Sequence, residues 1–266
     1  MTASTITIPP PRSAAHHLER VAVDIAGAAA DLVRGSVGAG SIRGTKSTET
    51  DVVTHTDIES ERLIRHEILE RCPGSSVLGE ELDDDAGSNS VSWIVDPIDG
   101  TVNFLYDLPV VAVSIAASIA GRVVAGAVAD VLRNEVFSAA VGTGARRDGA
   151  PIAADGDAEL GRALVGTGFS YDAARRSEQS AILDRVLPAA RDIRCMGSAA
   201  LNLCWVACGR LDAYYEHDTK PYDYAAGAVI AREAGAVVEL PDDNGDGLTV
   251  AAPSTSFDEV RRLVTG

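Results

Sequence analysis

The sequence has few basic residues for its length. Its 266 residues include 23 Lys and Arg but 39 Asp and Glu, which gives a formal net charge of −16. A surface with this excess of negative charge repels phosphate backbones, so we expect no binding of nucleic acid. The excess alone indicates little beyond solubility, although bound cations would offset part of it.

Cysteine is also scarce, and the motifs of zinc and serine hydrolases are absent. The four cysteines show no CxxC spacing, and three of them lie among apolar neighbours, where a free cysteine packs as a small hydrophobic residue. The five histidines form no HxH or HExxH pair, and no serine lies in a GxSxG motif. These absences argue against a zinc site and against a serine hydrolase. They fit a chain in a reducing compartment.

Long apolar runs are missing as well. No run reaches the roughly 18–20 residues that a membrane-spanning helix needs, so we expect no membrane span. The N-terminal stretch MTASTITIPPPRSAAHH contains no basic segment followed by an apolar one, which is the pattern of a signal peptide. We therefore expect a cytoplasmic protein whose residues 1–15 form a mobile tail.

The apolar residues that are present predict helices and strands in alternation. Helical spacing marks residues 14–35, 57–72, 175–187, 198–209 and 222–235, with Asp57 and Ser198 as N-caps. Residues 110–149 are predicted to be strands joined by tight turns at 120–121, 133–134 and 142–144, and the Gly-rich residues 35–51 a loop. This order predicts a mixed α/β (α+β) layered fold. A polar segment near 150–160 would divide the folded domain, 16–266, into halves of about 16–155 and 156–266.

The stretch WIVDPIDGTVNF, residues 93–104, holds the densest group of acids beside an apolar run. Its apolar start predicts a buried strand that ends at Asp96, and Pro97 suits the first turn of a helix. Asp99 would then lie one helical turn after Asp96. Both carboxylates, together with the Ile98 carbonyl, would point to one side.

These acids also have a simpler interpretation, because Asp is a common helix N-cap. Two further acids favour a metal site instead: Glu80 also ends an apolar run, in SSVLGE, and Asp223 stands at another predicted helix start. Hard oxygen ligands of this kind are typical of Mg²⁺ rather than zinc. The backbone N–H groups of Gly100 and Thr101, at a predicted helix start, would favour an anion beside them.

Six segments, taken in order, resemble those of the inositol monophosphatase family. They are TDVVTHTD (50–57), GEE (79–81), WIVDPIDGTVNF (93–104), GTGARRDGAPI (142–152), GSAALNLCWVACGRLDAYYEH (197–217) and YDYAAGAVIAREAG (222–235). The resemblance runs from about residue 17 to residue 265. It implies a layered αβαβα sandwich of the sugar phosphatase type, two or three Mg²⁺ ions, sensitivity to lithium and a homodimer.

Motif matches then imply roles for individual residues. The metal ligands would be Glu80, Asp96, the Ile98 carbonyl, Asp99 and Asp223. Glu80 and Thr101 would orient the attacking water, and Asp57 would help to hold a further ion. The substrate-binding residues would be Asp99, Gly100, Thr101, Gly197, Ser198, Ala199, Glu216 and Asp223. Lys46 lies near a position that is basic in some members, and Tyr222 stands where many members have tryptophan.

The resemblance implies hydrolysis of a small phosphorylated polyol or amino alcohol by metal-activated water. Glu216 and GSAALNL favour inositol monophosphate, and the lack of a basic cluster argues against a second phosphate on the substrate. Histidinol phosphate, or another small polyol phosphate, is the alternative. A haloacid-dehalogenase-type aspartyl-phosphate phosphatase is disfavoured, because its two Asp follow an Asp-x-Asp spacing. A non-catalytic metal-binding regulator would be expected to have lost a ligand, and every matching acid is present.

Overall fold

The computed structural model describes residues 12–38, 42–45, 52–154, 159–242, 245 and 247–266. Lys46, residues 1–11 of the expected tail and part of the polar segment at 150–160 lie outside these ranges. The first helix begins at Arg12, so residues 12–15 are helical. Among the described residues, no helix combines the length and apolar character that crossing a membrane would need.

The described residues form seven helices and fourteen strands. The helices are α1 (Arg12–Gly35), α2 (His55–Arg71), α3 (Thr101–Leu105), α4 (Ala173–Val186), α5 (Ala199–Ala207), α6 (Pro221–Glu233) and α7 (Phe257–Thr265). The strands are β1 (Ile42–Thr45), β2 (Val52–Thr54), β3 (Ser76–Gly79), β4 (Val91–Asp99), β5 (Ala112–Ile119), β6 (Arg122–Asp130), β7 (Glu135–Ala140), β8 (Ala145–Arg147), β9 (Ala150–Pro151), β10 (Leu164–Thr167), β11 (Asp192–Cys195), β12 (Ala213–His217), β13 (Ala236–Glu239) and β14 (Leu248–Pro253).

Two large sheets carry the fold. The first has seven strands in the order β3-β4-β5-β6-β7-β8-β9, and only its β3–β4 pair is parallel. The second has five strands in the order β11-β10-β12-β14-β13, parallel from β11 to β12 and antiparallel beyond. The chain completes the first sheet before it begins the second. The division into two halves stays a prediction.

The strands expected between residues 110 and 149 are confirmed as a meander of β5, β6, β7 and β8. Ala120, Gly121 and Asn134 have φ angles of 50°, 77° and 54°, which tight hairpin turns require. The prediction of an unbroken loop at 35–51 is wrong in part, because β1 pairs with β2 as a two-stranded antiparallel ribbon. The sequence IRGT has a single large apolar residue, so no alternation marks it as a strand.

The elements stack in five layers. Helices α1 and α2 cover one face of the seven-stranded sheet, α5 and α6 lie between the two sheets, and α4 and α7 cover the outer face of the five-stranded sheet. Small residues allow the central layer to pack closely: a Cβ at Gly126 of β6 would lie 2.8 Å from the Ala226 Cα of α6. The αβαβα sandwich expected from the sequence is therefore confirmed.

Helix α2 begins earlier than predicted, and Asp57 is not its N-cap. The N-cap is Thr54, whose Oγ1 accepts a hydrogen bond from the Asp57 N–H at 3.3 Å, while Asp57 Oδ2 accepts from the Thr54 N–H at 2.8 Å. This reciprocal pair is a capping box, in which the acid belongs three residues inside the cap. The capping box fixes the Asp57 side chain at the start of the helix, where it is fully buried.

The prediction that Pro97 starts a helix is also wrong. Strand β4 continues through Asp99, and α3 starts only at Thr101. Asp96 pairs with Ser114 and Asp99 with Ala112, so β4 contains one more residue than β5 between these two pairs. Such a bulge tolerates proline. Residues three apart in a regular strand face opposite sides, and the extra residue is what allows both carboxylates to face one cavity.

Candidate functional site

A cavity of about 680 Å³ opens at the ends of β4, β10, β11 and β12 and at the starts of α3, α5 and α6. Ten of the residues expected at the site line it: Glu80, Asp96, Ile98, Asp99, Gly100, Thr101, Gly197, Ala199, Glu216 and Asp223. The other two expected residues lie directly behind the cavity wall. Asp57 hydrogen-bonds to Thr101, and Ser198 hydrogen-bonds to Asp99. The structure therefore brings all twelve residues into one place.

Four acids lie together in this cavity, and the pKa values of three of them, Asp96, Asp99 and Asp223, are raised. Burial raises the pKa of Asp96 well above its ordinary value, and the charges of Glu80, Asp99 and Asp223 raise it further. Burial likewise raises the pKa of Asp223, and Glu80 is the strongest of the neighbouring charges. Mutual repulsion in a low-dielectric site has this effect when no compensating cation is close. The cluster is therefore an anionic centre that favours a bound cation.

Asp99 is held by the start of α5. Its Oδ2 accepts hydrogen bonds of 2.7 Å from the Ser198 Oγ and from the Ala200 N–H. Burial raises the pKa of Asp99 to about 7, although these hydrogen bonds act to lower it. Ser198 is also confirmed as the N-cap of α5, since its Oγ accepts from the Leu201 N–H at 3.2 Å. A single serine thus links the start of α5 to an acid on β4.

The donor atoms of the cluster fit Mg²⁺ in kind. They are carboxylate oxygens and the Ile98 carbonyl, which are hard ligands. No three Asp, Glu, His or Cys side chains in the described part of the chain form a set that could hold an ion as they stand. The carboxylates of Asp96 and Glu80 instead interact closely enough to raise the pKa of Asp96. Two ionised carboxylates cannot keep such a contact, so the pair must share either a proton or a cation.

Thr101 lies between the acid cluster and helix α2. Its Oγ1 is 3.0 Å from the Ile98 carbonyl oxygen and 3.1 Å from Asp57 Oδ1. A hydroxyl has one proton and two lone pairs, so Thr101 donates to one of these acceptors and can still accept a proton from a water. Asp57 is itself fixed by the capping box with Thr54. The orientation of the Thr101 hydroxyl is therefore set by buried neighbours.

Two glycines allow the backbone segments of the site to meet. A Cβ at Gly100 would lie 2.8 Å from the Val110 carbonyl oxygen, and one at Gly197 would lie 2.9 Å from Asn103 Nδ2. Asn103 Nδ2 donates to the Val110 and Met196 carbonyls at 2.8 and 2.7 Å. This side chain ties α3 to the segment before α5. Asn103 was not predicted from the sequence, although its polar side chain between the apolar Val102 and Phe104 was a signal for it.

Glu216 lies on the opposite wall of the cavity. Its Oε2 accepts a 2.8 Å hydrogen bond from the hydroxyl of Tyr214, which is fully buried. Its carboxylate packs over Gly168, where an added Cβ would lie 2.2 Å from the carboxylate atoms. Burial raises the pKa of Glu216 to about 7, and the charges of Asp99 and Asp218 contribute. Tyr214 and Gly168 escaped the sequence analysis, because nothing local to either residue indicates that it supports an acid.

The rim of the cavity contains two basic residues, Arg175 and Lys220. Arg175 is already compensated, since its guanidinium lies 2.8 Å from Asp218 and 2.7 Å from Glu178. Among the residues that the structure describes, the rim is therefore no strongly basic patch.

A second cavity, of about 600 Å³, lies between α1 and strands β7 and β8. Its buried acid, Glu19, accepts a hydrogen bond from Ser138 Oγ at 2.9 Å and lies 3.0 Å from His16 Nδ1. Two arginines and two aspartates around it contribute charges of both signs. Because its two arginines offset most of its acidic charge, this cavity has no equivalent of the acid cluster, and we assign the functional site to the first cavity.

Comparisons with known proteins agree with this geometry. The model of the inositol monophosphatase family matches residues 14–261. An inositol-1-monophosphatase of Mycobacterium leprae is 50% identical over 234 residues, which cover 82% of this chain and 79% of that protein. The solved structure of Mycobacterium tuberculosis SuhB is 44% identical, covers 94% of this chain with 96% of its own, and superposes with a TM-score of 0.81.

One set of relatives has a different name. A Nus factor SuhB of Pasteurella multocida is 38% identical over 199 residues, which cover 74% of this chain and 74% of that protein. The same scaffold therefore occurs in proteins named for other roles. Since the family model spans most of the sequence and its motifs meet at one cavity, the chain belongs to the inositol monophosphatase family of enzymes.

Proposed function

We propose that this phosphatase releases phosphate from inositol monophosphate with Mg²⁺ bound at the acid cluster. The observation that carries the proposal is the convergence of Glu80, Asp96, Asp99 and Asp223 on one cavity. Buried carboxylates at this density stay ionised only if cations compensate them. A phosphate monoester is itself an anion, so it would enter this cavity only with those cations in place.

The ligands would be Glu80, Asp96, the Ile98 carbonyl, Asp99 and Asp223, for two or three ions. Bound Mg²⁺ would neutralise phosphoryl oxygens, lower the pKa of a water and stabilise the leaving alkoxide. The side chains would have to turn toward one another, because they form no complete ligand set as they stand. Bound metal would also displace protons from Asp96 and Asp223, whose pKa values are raised, so metal binding should release protons.

The chain's own contribution to the attack is the placement of a water. Thr101 Oγ1 is held by Ile98 and Asp57 at the cavity wall, with a lone pair left for a water proton. Glu80 would accept the other proton of that water as it attacks phosphorus. Asp57 would act through Thr101 by fixing its hydroxyl, and also add negative charge near a further ion. No covalent phosphoenzyme is needed.

The substrate would be held from two sides. The backbone N–H groups of Gly100 and Thr101 would bind the phosphate, on the side of the cavity formed by β4 and α3. Ring hydroxyls would donate to Asp99, Glu216 and Asp223. Gly197 and Ala199 would form the remaining wall, with Ser198 behind it. Because Ser198 already donates to Asp99, it would orient that acid from behind the cavity wall.

Carboxylates on both walls can accept hydrogen bonds from the hydroxyls of a polyol. They would also bind the cationic amine of an amino alcohol, so they discriminate only weakly between the two substrate classes. Histidinol phosphate is therefore the second candidate, and the specific observation in its favour is the uncompensated charge of Glu216. The name of the Mycobacterium leprae relative supports inositol monophosphate instead. We further expect lithium sensitivity, a homodimer and a cytoplasmic location.

The direct test compares kcat/KM for inositol 1-phosphate, histidinol phosphate and fructose 1,6-bisphosphate, each with Mg²⁺, with EDTA and with added Li⁺. We expect at least a tenfold preference for inositol 1-phosphate, dependence on Mg²⁺ and inhibition by Li⁺. A preference for histidinol phosphate would select the second candidate. Mg²⁺ binding without turnover of any monoester would support a non-catalytic role, and a trapped phosphoenzyme would revive the aspartyl-phosphate mechanism.

The site assignment has its own test. Glu80→Gln and Asp99→Asn should each lower kcat by more than about 100-fold at saturating Mg²⁺, since each removes a ligand charge. Glu70→Gln, on the exposed side of α2, is the control and should leave kcat unchanged. Turnover close to wild type in both site variants would refute the assignment.

A further inference from the structure

Behind the acid cluster, helix α2 carries a buried ion pair that has no part in the proposed reaction. Glu61 is fully buried and Arg65, one turn later, is 7% exposed. Arg65 Nη2 lies 2.7 Å and Nε 2.8 Å from Glu61 Oε1. Removing two charges from water is costly unless further hydrogen bonds satisfy them. The other contacts of the pair therefore indicate its purpose.

Those contacts reach the loop that follows β3. Glu61 Oε2 accepts a hydrogen bond from the Glu81 N–H at 2.8 Å, and its Oε1 accepts from the Leu82 N–H at 3.3 Å. Arg65 donates to the Leu82 carbonyl at 3.1 Å and to the Asp85 carboxylate at 2.7 Å. One buried pair thus binds backbone donors, a backbone acceptor and a side chain of the same short loop.

The same carboxylate also contacts the residue before Glu80. A Cβ at Gly79 would lie 2.0 Å from Glu61 Oε1 and 2.7 Å from Arg65 Nη2, so only glycine permits this approach. Gly79 precedes Glu80 in the chain, and Glu81 follows it. Glu61 therefore holds the backbone on both sides of the acid that we assign to metal and water.

The far end of the loop is closed by its backbone. Val77 and Asp85 exchange hydrogen bonds of 3.2 and 3.0 Å, which return the loop to the start of β3. Arg65 spans this closure by its bond to the Asp85 carboxylate. Burial acts to lower the pKa of Arg65, but its bonds to Asp85 and Glu61 outweigh burial and raise that pKa, so the guanidinium stays charged. Glu61 and Arg65 are therefore a charged clamp on this loop. Within the described residues, the loop pairs with a strand only through the bridge between Val77 and Asp85.

We propose that Glu61 and Arg65 are positioning residues that set the place of Glu80 for metal binding. The inference rests on the proposed function, because it concerns the same acid cluster. Neither side chain lines the cavity, so both would act through the loop. Groups that orient metal ligands typically change metal affinity by roughly 10–100-fold when they are removed. We therefore expect Glu61→Gln to raise the Kd for Mg²⁺ at least about tenfold.

Glutamine keeps the volume of Glu61 but replaces one acceptor oxygen with an N–H donor. That donor would face either the Glu81 N–H or the guanidinium, so one anchor of the loop would be lost. The matched control is Glu67→Gln: Glu67 and Arg71 form the same i,i+4 pair on the same helix at 2.7 Å, but at the surface. Asp85→Asn is a second variant, because Asp85 is half exposed and its loss removes only the outer anchor of Arg65.

The experiment is titration calorimetry of Mg²⁺ into the metal-free full chain, with folding checked by circular dichroism. We expect the Kd to rise at least tenfold for Glu61→Gln, about threefold for Asp85→Asn, and not at all for Glu67→Gln. The Mg²⁺ concentration for half-maximal phosphate release should rise in parallel, with kcat at saturating Mg²⁺ changed less. If Glu61→Gln does not fold, Asp85→Asn decides.

The outcomes separate this inference from the proposed function. Unchanged Kd values in folded variants of a wild type that binds Mg²⁺ and releases phosphate would overturn the clamp alone. A lower thermal stability with an unchanged Kd would give the pair a purely structural role, which also overturns it. A wild type that binds no Mg²⁺ would overturn both proposals.

Discussion

Glu216 should destabilise the metal-free protein at neutral and alkaline pH. Its side chain is partly buried in the cavity wall, and desolvation together with the nearby charges of Asp99 and Asp218 raises its pKa to about 7. We consider the substitution Glu216→Gln. Glutamine has the same size, and its oxygen can still accept the hydrogen bond from Tyr214, so the main change is the removal of a titratable charge.

The sign and size follow from linkage. Below the ordinary pKa of 4.5, Glu216 is protonated in both the folded and the unfolded chain and has no effect. As the pH rises from 4.5 to about 7, the unfolded chain loses the proton first, so the free energy of unfolding of the wild type falls. Above pH 7 the loss is constant at about 3 kcal/mol. Glu216→Gln should therefore be more stable by that amount at pH 8 and by less than about 1 kcal/mol at pH 5.

Urea unfolding of both proteins in EDTA at pH 5, 6, 7 and 8 measures this difference directly. The same variant should lose at least about tenfold in kcat/KM for inositol 1-phosphate, since a charged partner of a ring hydroxyl is gone. A stability difference that does not change with pH would refute the reasoning. So would a variant that is less stable than the wild type at pH 8, because the charge would then be compensated within the protein.

Three further predictions concern the same cavity. Mg²⁺ should raise the Tm more at pH 8 than at pH 6, because protons compete with the metal for Asp96 and Asp223, whose pKa values are raised. Equal Tm shifts at both pH values in a thermal melt would contradict this prediction. Thr101→Val should lower kcat about 100-fold while Thr101→Ser retains most of it, since only the hydroxyl places the water; phosphate-release assays in which both variants behave alike would exclude that role. Gly168→Ala should displace Glu216 and raise the KM for inositol 1-phosphate several-fold, but not that for p-nitrophenyl phosphate, which has no ring hydroxyls; parallel changes in both KM values would show a general disturbance instead.

The parts of the fold that depend on local pattern were predictable. Helical spacing located α1, α5 and α6 to within a few residues, and turn residues located the hairpins of the central meander. Ser198 was predicted as an N-cap for the same reason, since its side chain caps the residue three positions later. These features are decided within one turn of chain, where sequence and structure correspond directly.

The Asp96–Asp99 segment shows why the rest was not predictable. Pro97 is compatible with the first turn of a helix and equally with a bulge in a strand. The choice between them is made by β5, whose pairing with β4 continues to Asp99. The prediction that both carboxylates point to one side was therefore right for the wrong structural reason. A helical turn and a strand with one extra residue both bring residues three apart to the same side.

Helix α2 gives the complementary case. Its buried residues include Asp57, Ser60, Glu61 and Arg65, so the face turned inward is largely polar. A pattern that equates polar with exposed assigns this face to solvent, and the partners that make it internal lie in segments far along the chain. Ser60 Oγ, for example, donates to the Pro97 carbonyl at 3.1 Å. The acids at the cavity were found from sequence because they stand at the ends of apolar runs or at helix starts and match a family, whereas the residues that hold them could be found only by locating their partners.

In the sequence, a glycine at the point of contact is the local sign of such a supporting residue. At Gly79, beside Glu80, the Glu61 carboxylate occupies the space that a Cβ would need. At Gly168, directly after β10, the Glu216 carboxylate occupies that space. In both places the glycine lies far in sequence from the acid that needs the room, so neither a turn nor a helix end explains it. A glycine at the end of an apolar strand therefore indicates a side chain arriving from another element. Here the two arriving groups are the buried carboxylate of Glu61, which supports a proposed metal ligand, and the partly buried carboxylate of Glu216, which is itself a proposed substrate contact.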